Sequence, residues 1–178
     1  CGQRGLTSVI AAREAGARRV IVTGLTADAL KMEVARAFGA DVTIDVEKQS
    51  TVSAVREATG GDMADVVVDV TSGATQPVAD ALDLARPGGR IVLAGGKYGP
   101  VPEFDSRKIM AKELTIMGAL AVDFESYEAA IRIIESRKYP LELMHTHTLP
   151  LADAERALLI LGNEVAGEHG IHLSIEPH

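Results

Sequence analysis

The chain has 178 residues, 47% of them hydrophobic, 24% charged and 3% aromatic, with a formal net charge of −7. That apolar fraction supports a folded core and excludes wholesale disorder, and no stretch approaches the roughly 20 uninterrupted apolar residues of a membrane span. Acidic excess (25 Asp and Glu against 18 Lys and Arg) argues against nucleic acid as a partner, and the single cysteine, Cys1, excludes a disulfide framework or a cysteine-cluster zinc site and points to a reducing cytoplasm.

Cys1-Gly2-Gln3-Arg4-Gly5 leads directly into a helix expected over Leu6 to Ala15, with Leu6, Val9, Ile10 and Ala12 on its apolar face. Arg19 to Thr23 reads as a short buried strand. Ala27 to Phe38 follows as a helix, with Leu30, Val34 and Phe38 at helical spacing and Gly39 placed to stop it. Asp41 to Asp45 is a second strand, and Ser50 is the expected N-cap of a helix holding Val52 and Val55, broken by Gly60-Gly61. Ala64 to Val70 is the third strand, Gln76 to Ala85 the next helix, and Pro87-Gly88-Gly89 a turn into a fourth strand, Arg90 to Ala94. A loop from Gly95 to Pro102 precedes a short helix, Ser106 to Glu113, and a fifth strand, Leu114 to Leu120. Phe124 to Ser136 is amphipathic, with Tyr127, Ala130, Ile131 and Ile134 on one side. Strand-like Met144 to Thr148, a helix over Ala152 to Leu161 and alternating Ile171, Leu173 and Ile175 complete the chain.

Strands alternating with helices predict an α/β fold of right-handed βαβ crossovers, with a parallel sheet buried on both faces. The texture changes beyond residue 140, where loops lengthen and histidines gather. This divides the chain into residues 1–140 and 141–178.

Gly2 and Gly5 fit the second and third glycines of G-x-G-x-x-G. In that motif the second glycine admits a pyrophosphate close to the backbone, and the diphosphate sits on the free N–H groups of the helix that follows. G-x-x-G also occurs in ordinary turns; the helix that follows at once and the strand ending at Gly24 strengthen the reading. Gly24 stands where such folds usually place the carboxylate that holds a ribose 2′-hydroxyl. Its absence would tolerate a 2′-phosphate, yet no Arg or Lys follows at once to neutralise one, and NAD versus NADP stays open with a slight lean to NAD.

The ordered series Gly2-Gln-Arg-Gly-Leu, Val20-Ile-Val-Thr-Gly-Leu, Phe38-Gly-Ala-Asp, Thr59-Gly-Gly, Ala64-Asp-Val-Val-Val-Asp, Arg86-Pro-Gly-Gly-Arg-Ile-Val-Leu-Ala-Gly, Glu113-Leu-Thr-Ile-Met-Gly, Tyr127-Glu-Ala-Ala-Ile-Arg-Ile-Ile and His147-Thr-Leu-Pro-Leu resembles the zinc-type medium-chain dehydrogenases. The likeness covers the whole chain as the C-terminal half of such an enzyme. It implies a doubly wound Rossmann domain of strand order 3-2-1-4-5-6, its first strand missing from this chain, and a final segment, 141–178, that completes the catalytic domain. A piece of a chain about twice as long is therefore expected, beginning here with Cys-Gly rather than Met. The implied function is hydride transfer between a nicotinamide coenzyme, NAD(P), and a secondary alcohol or ketone. Zinc is expected only in the N-terminal half, no catalytic or metal-binding residue is assigned in this chain, and a homo-oligomer (dimer or tetramer) is implied. A stand-alone dinucleotide-binding module without chemistry and a zinc-free quinone reductase are the alternatives.

The same resemblance places the coenzyme contacts. Gln3 and Arg4, between Gly2 and Gly5, would offer N–H groups to the pyrophosphate. Gly24, Leu25 and Thr26 would lie near the adenosine ribose, and Thr71 and Ser72 on the adenosine side. Ala94, Gly95 and Gly96 would approach the nicotinamide ribose. Ala119 and Ala121, two apart at the end of the fifth strand, would face the same way and offer backbone groups to the carboxamide. His172 occupies the position of a basic pyrophosphate contact. Other candidates have plainer readings: His145 and His147 as structural residues on one strand face rather than a metal pair, Lys97 and Tyr98 as a solvated loop or a ligand contact, Asp65 and Asp69 as turn or strand-end residues. Glu125, Glu128, Arg132, Glu135 and Arg137 read as a solvated helix face.

Overall fold

A computed structural model describes residues 1–102 and 104–177; His178, the last residue of the expected C-terminal segment, lies outside the described residues. The elements run α1 (Gln3–Glu14), β1 (Ile21–Gly24), α2 (Ala29–Ala37), β2 (Val42–Asp45), α3 (Thr51–Ala58), β3 (Ala64–Asp69), α4 (Gln76–Leu84), β4 (Ala85–Leu93), α5 (Ser106–Lys112), β5 (Thr115–Gly118), α6 (Phe124–Ser136), β6 (His145–Pro150), α7 (Ala154–Leu161) and β7 (His172–Glu176). The chain folds as two compact units, Cys1–Thr43 with Glu125–His178, and Ile44–Phe124.

Strands pair in three ladders, β1 with β2, β3-β4-β5, and β6 with β7, and the last two are parallel throughout. If β1 to β5 are taken as the second to sixth strands of a Rossmann sheet, the ladders are 3-2 and 4-5-6. These are the neighbours that the order 3-2-1-4-5-6 leaves when its first strand is taken out. The fold is α/β and Rossmann-like.

In the first unit α1 buries Leu6, Val9 and Ile10 against Val20, Val22, Val34 and Phe38. The i, i+3, i+4 spacing that predicts the apolar face of α1 is the spacing that fills the core. Gly39 ends α2 in the left-handed region (φ +107°), as its place in the sequence predicts. Arg13, in the last turn of α1, ties three segments together. Its Nε donates to the Gly39 carbonyl at 2.7 Å, one Nη to the Ala17 carbonyl at 2.7 Å, and the other to Asp41 Oδ2, which also accepts from the Val20 N–H. Burial pushes the Asp41 carboxyl up, but the hydrogen bonds from the Val20 N–H and Arg13 outweigh it and hold the pKa below the ordinary value.

Helix α6 has the predicted bounds, but a different face turns inward. Tyr127, Ile131 and Ile134 are more than half exposed, and Ile133 is the residue that packs on the first core. Apolar residues occur around more than half of this helix, so periodicity alone does not select the buried row. Glu125, Glu128, Arg132, Glu135 and Arg137 are all exposed, as expected of a solvated face.

In the second unit Ser50 caps α3, its Oγ accepting from the Ser53 N–H. One face of β3-β4-β5, carrying Val67, Ile91, Leu93 and Ile116, packs with Ala81, Leu82 and Ile109 of α4 and α5. On the other face of these strands Val66, Val68 and Met117 are 47–49% exposed. Two strand limits also differ from expectation. Pro87-Gly88-Gly89 does not precede β4 but lies within it, as a bulge. Ala64 pairs with Ala85 and Val66 with Arg90, so β4 spends five residues where β3 spends two. A side chain at Gly89 would meet the Arg86 carbonyl at 2.7 Å, which explains the glycine. Strand β5 ends at Gly118, and Leu120 is 98% exposed.

Lys112 closes α4 from outside. Its ammonium donates to the carbonyls of Leu82 (2.7 Å), Asp83 (3.0 Å) and Ala85 (2.8 Å), acceptors that a helix end leaves without partners. Burial depresses its pKa below the ordinary lysine value. Replacing Lys112 with methionine keeps the stem and removes the three bonds; a loss of about 2 kcal/mol in urea unfolding is expected.

Candidate functional site

The glycine segment forms the N-terminus of α1 in the first unit. Gly2 is the N-cap residue, in extended backbone (φ −158°), with no side-chain cap on the helix and no acidic residue in its first turn. The first intrahelical bond runs from the Leu6 N–H to the Gly2 carbonyl at 2.9 Å. Helix geometry therefore leaves the Gln3, Arg4 and Gly5 amides without carbonyl partners at the positive end of the dipole. A Cβ built on Gly2 meets no atom of the described residues within 4 Å beyond its chain neighbours and the helix's own backbone. The Gln3 side chain is turned elsewhere: its amide donates to the Ile171 carbonyl at 2.6 Å. His172 follows at the start of β7, exposed, with its ring 6.0 Å from that of His145.

Gly24 ends β1 in a packed place. A Cβ there would lie 3.2 Å from Cys1 Cβ, 3.3 Å from Asp28 Cβ and 3.4 Å from Met32 Cγ, so the missing carboxylate has a steric reason. The charge in this neighbourhood is carried by Asp28, which is 8% exposed. Its Oδ2 accepts from the Leu25 N–H at 3.0 Å and its Oδ1 from Lys31 Nζ at 2.8 Å. Burial raises its pKa, and the Lys31 and Leu25 hydrogen bonds outweigh that rise, so the carboxyl stays below its ordinary value. Leu25 and Thr26 are exposed beside it. The sequence signal for the pair is an Asp and a Lys three apart at a helix start.

The second unit brings the other expected residues to the carboxyl ends of β3 and β4, where an open parallel sheet takes its ligands. Thr71 and Ser72 are exposed in the loop after β3, and Ala94, Gly95 and Gly96 continue β4. The Ala94 and Gly95 amides both donate to the Asp69 carbonyl, at 2.8 and 2.9 Å, and the Gly73 amide donates to the Gly96 carbonyl at 2.9 Å. Gly95 sits directly on Thr71: a Cβ would lie 2.2 Å from the Thr71 carbonyl oxygen.

Asp69 and Lys97 differ from expectation. Asp69 is a strand-end residue, as predicted, but also a buried charge at 4% exposure. Lys97 is not solvated: its ammonium lies 2.7 Å from Asp69 Oδ2, with the side chain 11% exposed, and it also donates to the Thr71 carbonyl. Asp69 Oδ1 accepts from the Thr71 N–H at 3.0 Å. Tyr98 is 91% exposed and lies over Gly73.

Two further pairs sit differently on their strands from what alternation predicts. Ala119 and Ala121 do not share a strand face, because both follow the end of β5 and Ala121 is left-handed (φ +66°), which breaks the alternation. The Ala119 amide still donates to the Leu93 carbonyl at 2.9 Å. His145 and His147 flank a bulge in β6, where His145 pairs with His172 and His147 with Leu173, and they take different partners. His145 Nε2 bonds Ser174 Oγ at 2.9 Å, and His147 Nε2 lies 3.8 Å from Glu168, which also pairs with Arg156. Among the described residues no three His, Cys, Asp or Glu side chains come together as a metal site.

The family profile described as zinc-binding dehydrogenase matches residues 5–136, and the chain belongs to that family. It is 41% identical, over 99% of its length and 48% of the relative's, to the Mycobacterium tuberculosis protein named "Probable alcohol dehydrogenase adh". It is 33% identical, over 99% of its length and 47% of the relative's, to the erythritol/L-threitol dehydrogenase of Mycolicibacterium smegmatis. Among solved structures it is similar to a Sinorhizobium meliloti 1021 chain assigned to the zinc-binding dehydrogenases and solved bound to NADP. That similarity has a TM-score of 0.84 at 27% identity and covers 99% of this chain and 50% of the other. The chain thus spans about half the length of the relatives it matches.

Proposed function

We propose that this chain is the coenzyme-binding part of an NAD(P)-dependent, zinc-type alcohol or polyol dehydrogenase. Residues 1–140 form the coenzyme domain and 141–178 belong to the catalytic domain. The observation that carries the reading is the first turn of α1, which among the described residues has no side-chain cap on its amides and no carboxylate within it. Gln3, Arg4 and Gly5 give their N–H groups to the pyrophosphate; Gly24, Leu25 and Thr26 take the adenosine ribose. Thr71 and Ser72 serve the adenosine side, Ala94, Gly95 and Gly96 the nicotinamide ribose, and Ala119 and Ala121 the carboxamide. When bound, the coenzyme supplies the hydride acceptor or donor at nicotinamide C4. The chain's own work is to hold and orient it.

The substrate class is a small secondary alcohol or ketone, and the names of the relatives support it. Zinc is held by residues outside this chain, and the enzyme is a cytoplasmic homo-oligomer. NAD is slightly favoured over NADP, because the ammonium of Lys31 is engaged by the Asp28 carboxylate rather than held ready for a 2′-phosphate. Titration with NADH and with NADPH, followed by nicotinamide fluorescence, tests this reading: saturable binding with NADH the tighter is expected. Binding of neither contradicts the function, and tighter NADPH binding contradicts the preference.

A further inference from the structure

We propose that Lys97 is a positioning residue that locks the loop after β3 to the loop after β4, and so sets the nicotinamide half of the coenzyme site relative to its adenosine side. The inference rests on the coenzyme reading above and gives Lys97 a role that is neither of the two expected of it, a solvated loop residue or a direct ligand contact.

Lysine is strongly hydrated and is rarely withdrawn from water without a partner. Here the side chain is 11% exposed, with its ammonium 2.7 Å from a carboxylate whose own side chain is 2% exposed. Such a pair gives little net stability, because desolvating both ions offsets most of their attraction; what it supplies is fixed geometry. The geometry in this case joins two ligand loops. Lys97 directly follows Gly96, the last residue expected at the nicotinamide ribose. Its ammonium reaches back to the carbonyl of Thr71, the first residue expected on the adenosine side. The same Asp69 carboxylate takes the Thr71 N–H with its other oxygen, so both backbone polar groups of Thr71 are held by the pair. The Gly73 amide on the Gly96 carbonyl and the bridge between Gly73 and Lys97 close the connection at backbone level. Each loop end is thereby fixed to the other, while Lys97 itself need not touch the coenzyme.

The test uses calorimetric titration of the protein carrying this chain with NADH and with AMP, a probe of the adenosine half alone. Lys97→Met is expected to weaken NADH about tenfold while AMP affinity stays within twofold, because the nicotinamide loop loses its anchor. A purely structural role would lower the unfolding midpoint without separating the two ligands. Methionine leaves Asp69 buried and unpaired, and where that variant fails to fold, Asp69→Asn/Lys97→Met removes both charges and keeps an acceptor for the Thr71 N–H; the same separation is expected. Folded variants with NADH affinity within twofold of the parent, or with AMP weakened as much as NADH, overturn the inference and leave the coenzyme reading standing. A parent protein that binds neither ligand overturns the coenzyme reading, and this inference with it.

Discussion

Gly95→Ala is expected to weaken coenzyme binding at least tenfold and to lower stability by about 1–3 kcal/mol, the cost of forcing one extra carbon into a packed site. The added carbon would lie 2.2 Å from the Thr71 carbonyl oxygen and 2.6 Å from the Thr71 carbonyl carbon and amide nitrogen. These are backbone atoms of the neighbouring loop, and no side-chain rotation relieves the contact. The β3 and β4 loops must separate, which disturbs Thr71 and Gly96 together and strains the Asp69–Lys97 pair beneath them. Gly96→Ala is the control: a Cβ there meets nothing within 4 Å, and unfolding close to that of the parent is expected. Equal urea midpoints and equal NADH affinities for Gly95→Ala and the parent would contradict the packing described for these loops.

Gly2→Asp is expected to move stability and binding in opposite directions. Aspartate is a strong N-cap, and a carboxylate at the positive end of α1 interacts well with the dipole, so stability holds or rises by about 1 kcal/mol. Gly2 has extended backbone that any residue adopts and open space around it, so the substitution introduces no strain. For a diphosphate the same change is unfavourable: the new carboxylate competes for the first-turn amides and places like charge within a few ångström of the ligand. At that separation repulsion in a protein-like dielectric is of the order of several kcal/mol before screening, and about a hundredfold loss of NADH affinity is expected. A thermal melt and a fluorescence titration on the same sample read both signs. Stability held or raised with unchanged affinity would mean that the helix start is a structural cap and nothing more.

Much of this arrangement is legible in the sequence where local physics decides it. Gly39, Ser50 and the Leu6-Val9-Ile10 stripe behave as their spacing requires, because a stop, a cap and an apolar face depend on neighbours along the chain. That the expected residues Gly24, Thr71 and Ala94 stand at or just beyond the carboxyl ends of β1, β3 and β4 is legible for the same reason, since each follows an apolar β-branched run. What the sequence hides depends on partners distant in the chain. Pro87-Gly88-Gly89 reads as a turn because proline and glycine usually interrupt strands, yet β3 accommodates them as a bulge. Lys97 reads as solvated because a charge in a Gly/Pro loop usually is; its partner lies 28 positions earlier, and only the pairing of β3 with β4 brings the two together. Ala119 and Ala121 obey strand alternation only if the strand continues, and one left-handed residue ends that reasoning. The inward row of α6 is set by which surface finds cover, and residue periods carry no information about that.

The central proposition is that the amides opening α1 receive the two phosphates of a nicotinamide dinucleotide. A crystal structure of the protein carrying this chain with NADH or NADPH bound tests it most directly. The expected result is pyrophosphate oxygens within hydrogen-bond distance of the Gln3 and Arg4 N–H groups, beside Gly2. A dinucleotide bound at another place, with those amides facing only water, would contradict it.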